Sequence, residues 1–362
     1  MRYGFWMPVF GGWLRNVEDE QMETSWEYTS RLARRAEQIG YDVTLIAELN
    51  MNDIKGVQAP SLDAWSTAAA LAAVTERLEL MVAVRPTFHN PALLAKQAAN
   101  IDHIAKGRLA LNVVSSWWRD EATKYGIPFD EHDQRYARTS EWLDAVEGCW
   151  RSDGFTHEGS FYEIRNNTLF PKPMAGRHLT GSPAPSATPG GRPTFYAGGE
   201  SETAKNLIAA KCDAYLMHGD PPEVVGRKIA DMRERREKLG LGPMTFGVAA
   251  FAVVRDSDAA AKAEVSRITD VNQSARGYAN YQQWITGSKL EQNVSLEDYS
   301  VSNRGLRAGL VGTPEGVRER LEEFAAVGID LVLLQCSPQA EEMERFSAQV
   351  IRPDLARAPE EV

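Results

Sequence analysis

Two stretches of the chain combine residue types suited to holding a phosphate. In Ala197-Gly198-Gly199-Glu200-Ser201-Glu202, two glycines let the backbone approach a ligand. Ser201 stands where it would cap the next helix, whose unpaired N–H groups and dipole attract an anion. In Asp130-Glu131-His132-Asp133-Gln134-Arg135-Tyr136, a guanidinium and a phenol precede a helical pattern and offer a second clamp on the same group. Each stretch has a plainer reading: Gly-Gly before a helix is often only a tight turn, and the second stretch alone is a charged surface loop. His89 and His218 end apolar runs and are candidates for acid–base work or substrate contact, with loop orientation as the alternative. His103, His157 and His178 fall in a helical pattern, a hairpin pattern and a Pro/Gly-rich stretch. Trp117-Trp118 offers one ring to wall an apolar pocket and one to pack the core. No carboxylate–histidine cluster suggests a metal site, and no Cys–His or Ser–His pair is adjacent in sequence.

These residues sit close to short apolar runs that recur in a regular order. Eight runs read as strands: Tyr3–Val9, Asp42–Leu49, Leu78–Arg85, Leu109–Ser115, Thr194–Gly198, Ala214–His218, Thr245–Val254 and Asp330–Cys336. Helical patterns follow them: Trp26–Gln38, Asp63–Thr75, Pro91–Ala105, Thr139–Trp150, Ser201–Ala210, Pro222–Leu239, Ala259–Ile268 and Pro314–Val327. The alternation predicts an α/β fold with a parallel sheet, closed by eight units into a (β/α)8 TIM barrel, one domain over residues 1–362. Asn90-Pro91 and Thr313-Pro314 place a capping residue before a helix-starting proline, and Gly40, Gly107 and Gly328 close helices. Such barrels carry their chemistry at the C-terminal ends of the strands, so the residues named above are expected at one mouth. Strand seven brings Ala249, Ala250 and Phe251 there, with no charge. Three segments interrupt the repeat as insertions on that face: a hairpin over Phe155–Leu169, a flexible loop near 171–193, and a polar, aromatic-bearing lid near 270–310.

Bulk properties narrow the partners. A net charge of −10 disfavours nucleic acid or an anionic membrane, both of which need a basic face. The longest apolar runs are too short to span a bilayer, and the N-terminus is too interrupted for a signal peptide. Three cysteines, Cys149, Cys212 and Cys336, without metal-ligand spacing, fit a reducing compartment, so a cytoplasmic protein is expected.

Over essentially its whole length the chain resembles the bacterial luciferase-like flavin monooxygenases, and within them the dimethyl sulfone monooxygenases that depend on reduced FMN. Asn112-Val113-Val114-Ser115 and Ala197-Gly198-Gly199-Glu200-Ser201 carry the wider resemblance. The segments 47–56, Val84-Arg85-Pro86-Thr87-Phe88-His89-Asn90-Pro91 and Ser302-Asn303-Arg304-Gly305-Leu306-Arg307 point to the sulfone branch. The resemblance implies FMN contacts at Asn112, Glu121, Arg135, Tyr136 and Ser201, coinciding with the phosphate clamp. It implies a substrate space lined by Asn50, His89, Trp117, His218 and Phe251, closed by Arg304 and Arg307 on the lid. His89 and His218 remain the two candidates to move a proton.

The implied reaction is two-component: a separate NAD(P)H-dependent reductase supplies reduced FMN, and O2 cleaves dimethyl sulfone to methanesulfinate and formaldehyde. Relatives of this kind imply a homodimer or homotetramer. The sister alkanesulfonate monooxygenases carry an arginine and a histidine where this chain has Ala249 and Phe251. They also have a cysteine at the position of Ser61 and a tyrosine near Ser337. A sulfonate needs a fixed cation in a dry pocket, whereas a neutral organosulfur substrate needs only donors and apolar walls. Three alternatives stay open: a sulfonate monooxygenase using Arg304 or Arg307, a deazaflavin-dependent oxidoreductase on the same barrel, and a non-catalytic flavin-binding protein. The 176–193 stretch is longer than the family pattern leads one to expect.

Overall fold

Every barrel strand is apolar enough to be covered on both faces, and eight of them close into a ring. The computed structural model describes residues 1–174, 191–270, 278–288 and 294–352. The strands are β1 (Arg2–Trp6), β2 (Val43–Ile46), β3 (Glu79–Val84), β4 (Leu109–Val113), the hairpin β5 (Phe155–Glu158) and β6 (Glu163–Asn167), then β7 (Thr194–Ala197), β8 (Ala214–Met217), β9 (Thr245–Phe251), β10 (Val253–Val254), β11 (Val311–Gly312) and β12 (Leu331–Gln335). The closed barrel runs β1-β2-β3-β4-β7-β8-β9-β12, all neighbours parallel, as the (β/α)8 pattern predicts. β2 and β3 are buried along their whole lengths, the mark of a sheet sandwiched by helices.

Two apolar layers follow from the period of two along each strand. Val43, Leu45, Met81, Tyr196, Leu331 and Leu333 fill the barrel, while Ile46, Val82 and Val332 pack outward against the helices. Toward the N-terminal end, Arg2 Nη2 donates to Glu79 Oε2 at 2.5 Å and Arg2 Nη1 to the Tyr196 hydroxyl at 3.3 Å. The cap signals act where they stand in the sequence. Asn90 Oδ1 accepts from the N–H groups of Ala92 and Leu93, Thr313 from Gly316, and Gly40 and Gly328 end their helices in the left-handed region.

Three differences from the sequence reading have local causes. The helix expected from Thr139 begins at His132 and runs to Arg151. Its first turns are polar, so they lack the apolar period that marks a helix. The run Thr245–Val254 is two strands: Ala252 N–H bonds the Gln335 carbonyl, after which β10 leaves the barrel to pair with β11. The run through Val9 continues past β1 because Met7, Val9, Trp13 and Leu14 are buried in a loop over the barrel mouth. Within the segment 270–310, the described residues form helices Tyr281–Ser288 and Leu296–Ser300 and a 3-10 turn Ser302–Ala308. Residues 175–190, which hold His178 and most of the expected 171–193 loop, lie outside the described residues.

Candidate active site

A cavity of about 290 Å³ opens at the C-terminal ends of the barrel strands, with residues following β1, β2, β3, β4, β7, β8 and β9 in its wall. At one corner two helices begin side by side. Ser201 Oγ caps Glu202–Lys211 by accepting from Ala204 N–H at 3.2 Å. Thr203 Oγ1 donates to Asp133 Oδ1 at 3.2 Å, so the start of this helix lies against the start of His132–Arg151. Tyr136 hydrogen-bonds Ser201, and burial raises its phenol pKa, so it remains an O–H donor. Arg135 is 5% exposed, and its guanidinium is held by the carbonyls of Ser115 (3.2 Å) and Asp130 (3.1 Å). Gly198 and Gly199 have a packing reason to be glycine: a Cβ would stand 2.8 Å from the Leu216 carbonyl oxygen or 2.6 Å from Ala204 Cβ. Ser116, buried at φ 60°, turns the chain beside this corner, and its hydroxyl has no hydrogen-bond partner among the described residues.

Beside this corner, Glu200 centres a buried ion cluster. Glu200 Oε1 accepts from Arg304 Nη2 at 2.5 Å and from Lys228 Nζ at 3.0 Å, and Lys228 also donates to Asp220 Oδ2 at 2.8 Å. Burial would raise the Glu200 carboxyl, but His218, Arg304 and Lys228 around it bring it down to about 2. Burial, with Arg304 and Lys228 nearby, lowers His218 to about 4, so its imidazole is neutral at pH 7. Arg304 reaches this position because two glycines let its segment press onto the barrel. A Cβ on Gly305 would stand 2.6 Å from Phe251 N, and one on Gly219 3.1 Å from Gly305 Cα. The Nε and Nη1 of Arg304 have no hydrogen-bond partner among the described residues.

Two further arginines enter the wall with their own carboxylates. Arg85, 2% exposed, pairs with Glu121 through both terminal nitrogens and with Glu48 at 3.4 Å. His89 Nε2 lies 2.5 Å from the other oxygen of Glu48. Arg15 Nη2 bonds Asp53 Oδ2 at 2.7 Å and stacks on Tyr299, 3.8 Å from the ring centroid. Tyr278, Tyr281 and Trp284 surround that ring.

Of the residues singled out in the sequence, Asn112, Trp117, Arg135, Tyr136, His218 and Arg304 line the cavity. Trp117 stacks on the fully buried Trp118 at 5.4 Å. Ser201 stands behind Tyr136. Arg307 pairs with Asp298 at 2.5 Å and lies 3.9 Å from Asp220, behind the wall. Asn50, His89, Glu121 and Phe251 are not in the lining, although Ala249 is. Asn50 N–H donates to Glu121 Oε1 at 2.5 Å, and Phe251 is packed under Gly305. Glu48, Arg85, Glu200, Arg15, Asp53, Trp6 and Tyr299 also line it. Among the described residues no His/Cys/Asp/Glu group could hold a metal ion, and no helix is long and apolar enough to cross a membrane.

Fold and site together define a (β/α)8 barrel whose mouth holds a cavity lined by a helix-start corner and an adjoining neutralised ion cluster. The chain belongs to the luciferase-like monooxygenase family, which it matches over residues 1–331. It is 32% identical over 360 residues to the FMNH2-dependent dimethylsulfone monooxygenase of Pseudomonas fluorescens strain Pf0-1, covering 97% of this chain and 93% of that one. The enzyme of the same description from Pseudomonas putida is 30% identical, over 97% of this chain and 94% of the other. Among solved structures, a long-chain alkane monooxygenase superposes with a TM-score of 0.80 at 20% identity, over 99% of this chain and 91% of that one, a likeness of fold.

Proposed function

We propose that this chain is the oxygenase of a two-component system that uses reduced FMN and O2 to cleave dimethyl sulfone to methanesulfinate and formaldehyde. The observation that carries the substrate class is the charge balance of the cavity. Of the four arginines that line it, Arg15, Arg85 and Arg304 are ion-paired to a carboxylate, Arg135 stands at the helix-start corner, and β9 contributes only Ala249. A neutral sulfone fits such a wall, because a sulfonate would meet cations whose charge is already balanced. The relatives described as dimethylsulfone monooxygenases support the same choice.

The residues present fit a flavin nucleotide. Arg135, Tyr136, Ser201 and the two adjoining helix starts suit its phosphate, and the orphaned Ser116 hydroxyl and Asn112 suit its polar body. Bound there in reduced form, FMN supplies the two electrons that oxygen insertion requires. One oxygen atom goes to a methyl carbon, the C–S bond breaks, and the other leaves as water. Arg304 donates to a sulfone oxygen, Trp6, Trp117, Trp284 and Tyr299 exclude water, and neutral His218 serves as a hydrogen-bonding group rather than a cation. The described residues of the segment 270–310, with Trp284, Tyr299 and Arg304 in the cavity wall, act as a lid on a single barrel domain. The protein works in the cytoplasm as a homodimer or homotetramer beside an NAD(P)H-dependent FMN reductase. With such a reductase, NADH and FMN, dimethyl sulfone should yield formaldehyde and methanesulfinate in equal amounts; oxygen uptake indifferent to the sulfone would overturn the assignment.

A further inference from the structure

We propose that Glu200 is the residue that makes this cavity reject anions, and that removing its charge turns the cavity into a binding site for alkanesulfonates. The inference rests on reading the cavity as the site of a neutral sulfone. Arg304 and Lys228 share a single oxygen of Glu200, and Asp220 takes the other contact of Lys228, so two cations face two carboxylates. Arg307, the next cation outward, is paired to Asp298. Of the charged groups in this cluster, only Glu200 and Arg304 line the cavity, and the adjoining His218 carries no charge at pH 7.

A guanidinium cannot shed its proton, so neutralising Glu200 leaves a fixed positive charge in a wall that is 1% exposed at Arg304. The amide of a Glu200→Gln variant still accepts from Arg304, which keeps the geometry. The Nε and Nη1 of Arg304, without partners among the described residues, are N–H donors left over for a sulfonate oxygen. The same carboxylate works against retention of the anionic sulfinate product in the native protein.

The test compares the full-length chain, E200Q and the double variant E200Q/R304M, with methanesulfonate as the probe at fixed ionic strength. Binding is read as a thermal shift and as competitive inhibition of sulfone turnover. E200Q should bind methanesulfonate roughly tenfold or more tighter than the native protein, and the double variant should lose that gain. Asp220→Asn, which leaves Lys228 to compete for Glu200, should shift binding the same way by less and serves if E200Q does not fold. No gain in either variant, or a gain that survives loss of Arg304, overturns the proposal. The thermal shift needs no turnover, so failure of the native protein to oxidise dimethyl sulfone would remove the substrate assignment and leave this result standing.

Discussion

Arg304 and Glu200 lie 104 residues apart and meet at 2.5 Å in the wall of the cavity, with Arg304 wholly buried. Each supplies what the other needs to be there, since a buried unpaired charge of either sign is costly. The pair gives the pocket a strong hydrogen-bond donor without a net charge.

Replacing Arg304 with Met should therefore lower kcat/KM for dimethyl sulfone by roughly 10- to 100-fold, the size of one lost charge-assisted hydrogen bond. Arg304→Lys should rescue little, because an ammonium cannot reproduce the planar fork. Steady-state kinetics with formaldehyde detection checks both.

FMN affinity should follow the helix-start corner. Arg135→Met should weaken FMN binding by about 10-fold or more. Ser201→Ala should act mainly through loss of the helix cap, at about 1 kcal/mol of stability, with a smaller effect on flavin. Flavin fluorescence titration and urea unfolding separate the two effects.

Buried and exposed ion pairs should differ sharply in stability. Glu121→Gln strips a fully buried carboxylate from Arg85 and should cost about 3 kcal/mol in urea unfolding. Breaking the Arg35–Glu344 pair, whose side chains are 52% and 43% exposed, should cost between about 0 and 1 kcal/mol. Equal losses would mean that the Arg85 network is not the structural anchor its burial indicates.

His218 makes stability depend on pH with a defined sign. Its folded pKa lies near 4, below the usual value of 6.5, so between these values the unfolded chain binds more protons. Its contribution is complete above pH 6.5 and is lost as pH falls toward 4. Glu200, held near 2 against 4.5, adds a loss over a lower window, from about pH 4.5 down to 2. In His218→Gln the decline between pH 6.5 and 4 should be shallower, and NMR titration of the imidazole should give a midpoint near 4.

The barrel was legible because buried parallel strands leave nearly unbroken apolar runs and capping residues mark helix starts locally, as Asn90 and Thr313 do. Helix starts with polar first turns, such as His132, leave no such trace. At the site, the sequence pointed to the Gly198–Ser201 corner and to Arg304, whose positions follow from strand ends and a motif. The partnership of Glu200 with Lys228 and Arg304 spans three separate elements, and that of Arg85 with Glu121 links two. Such pairs exist only once the barrel has closed, so spacing along the chain does not encode them. Phe251 illustrates the reverse: it ends β9 at the mouth, yet Gly305 lets the next segment press onto it, leaving Ala249 to face the cavity.

On the proposed reading, a neutralised wall selects a neutral substrate. The direct measurement is kcat/KM for dimethyl sulfone and for methanesulfonate with one enzyme preparation, the same reductase and FMN, at fixed ionic strength. The sulfone should yield formaldehyde and methanesulfinate, with at least roughly 100-fold weaker turnover of the sulfonate, since a charge mismatch costs several kcal/mol. Preference for methanesulfonate would mean that Arg304 acts as an anion receptor despite Glu200, and would contradict that reading.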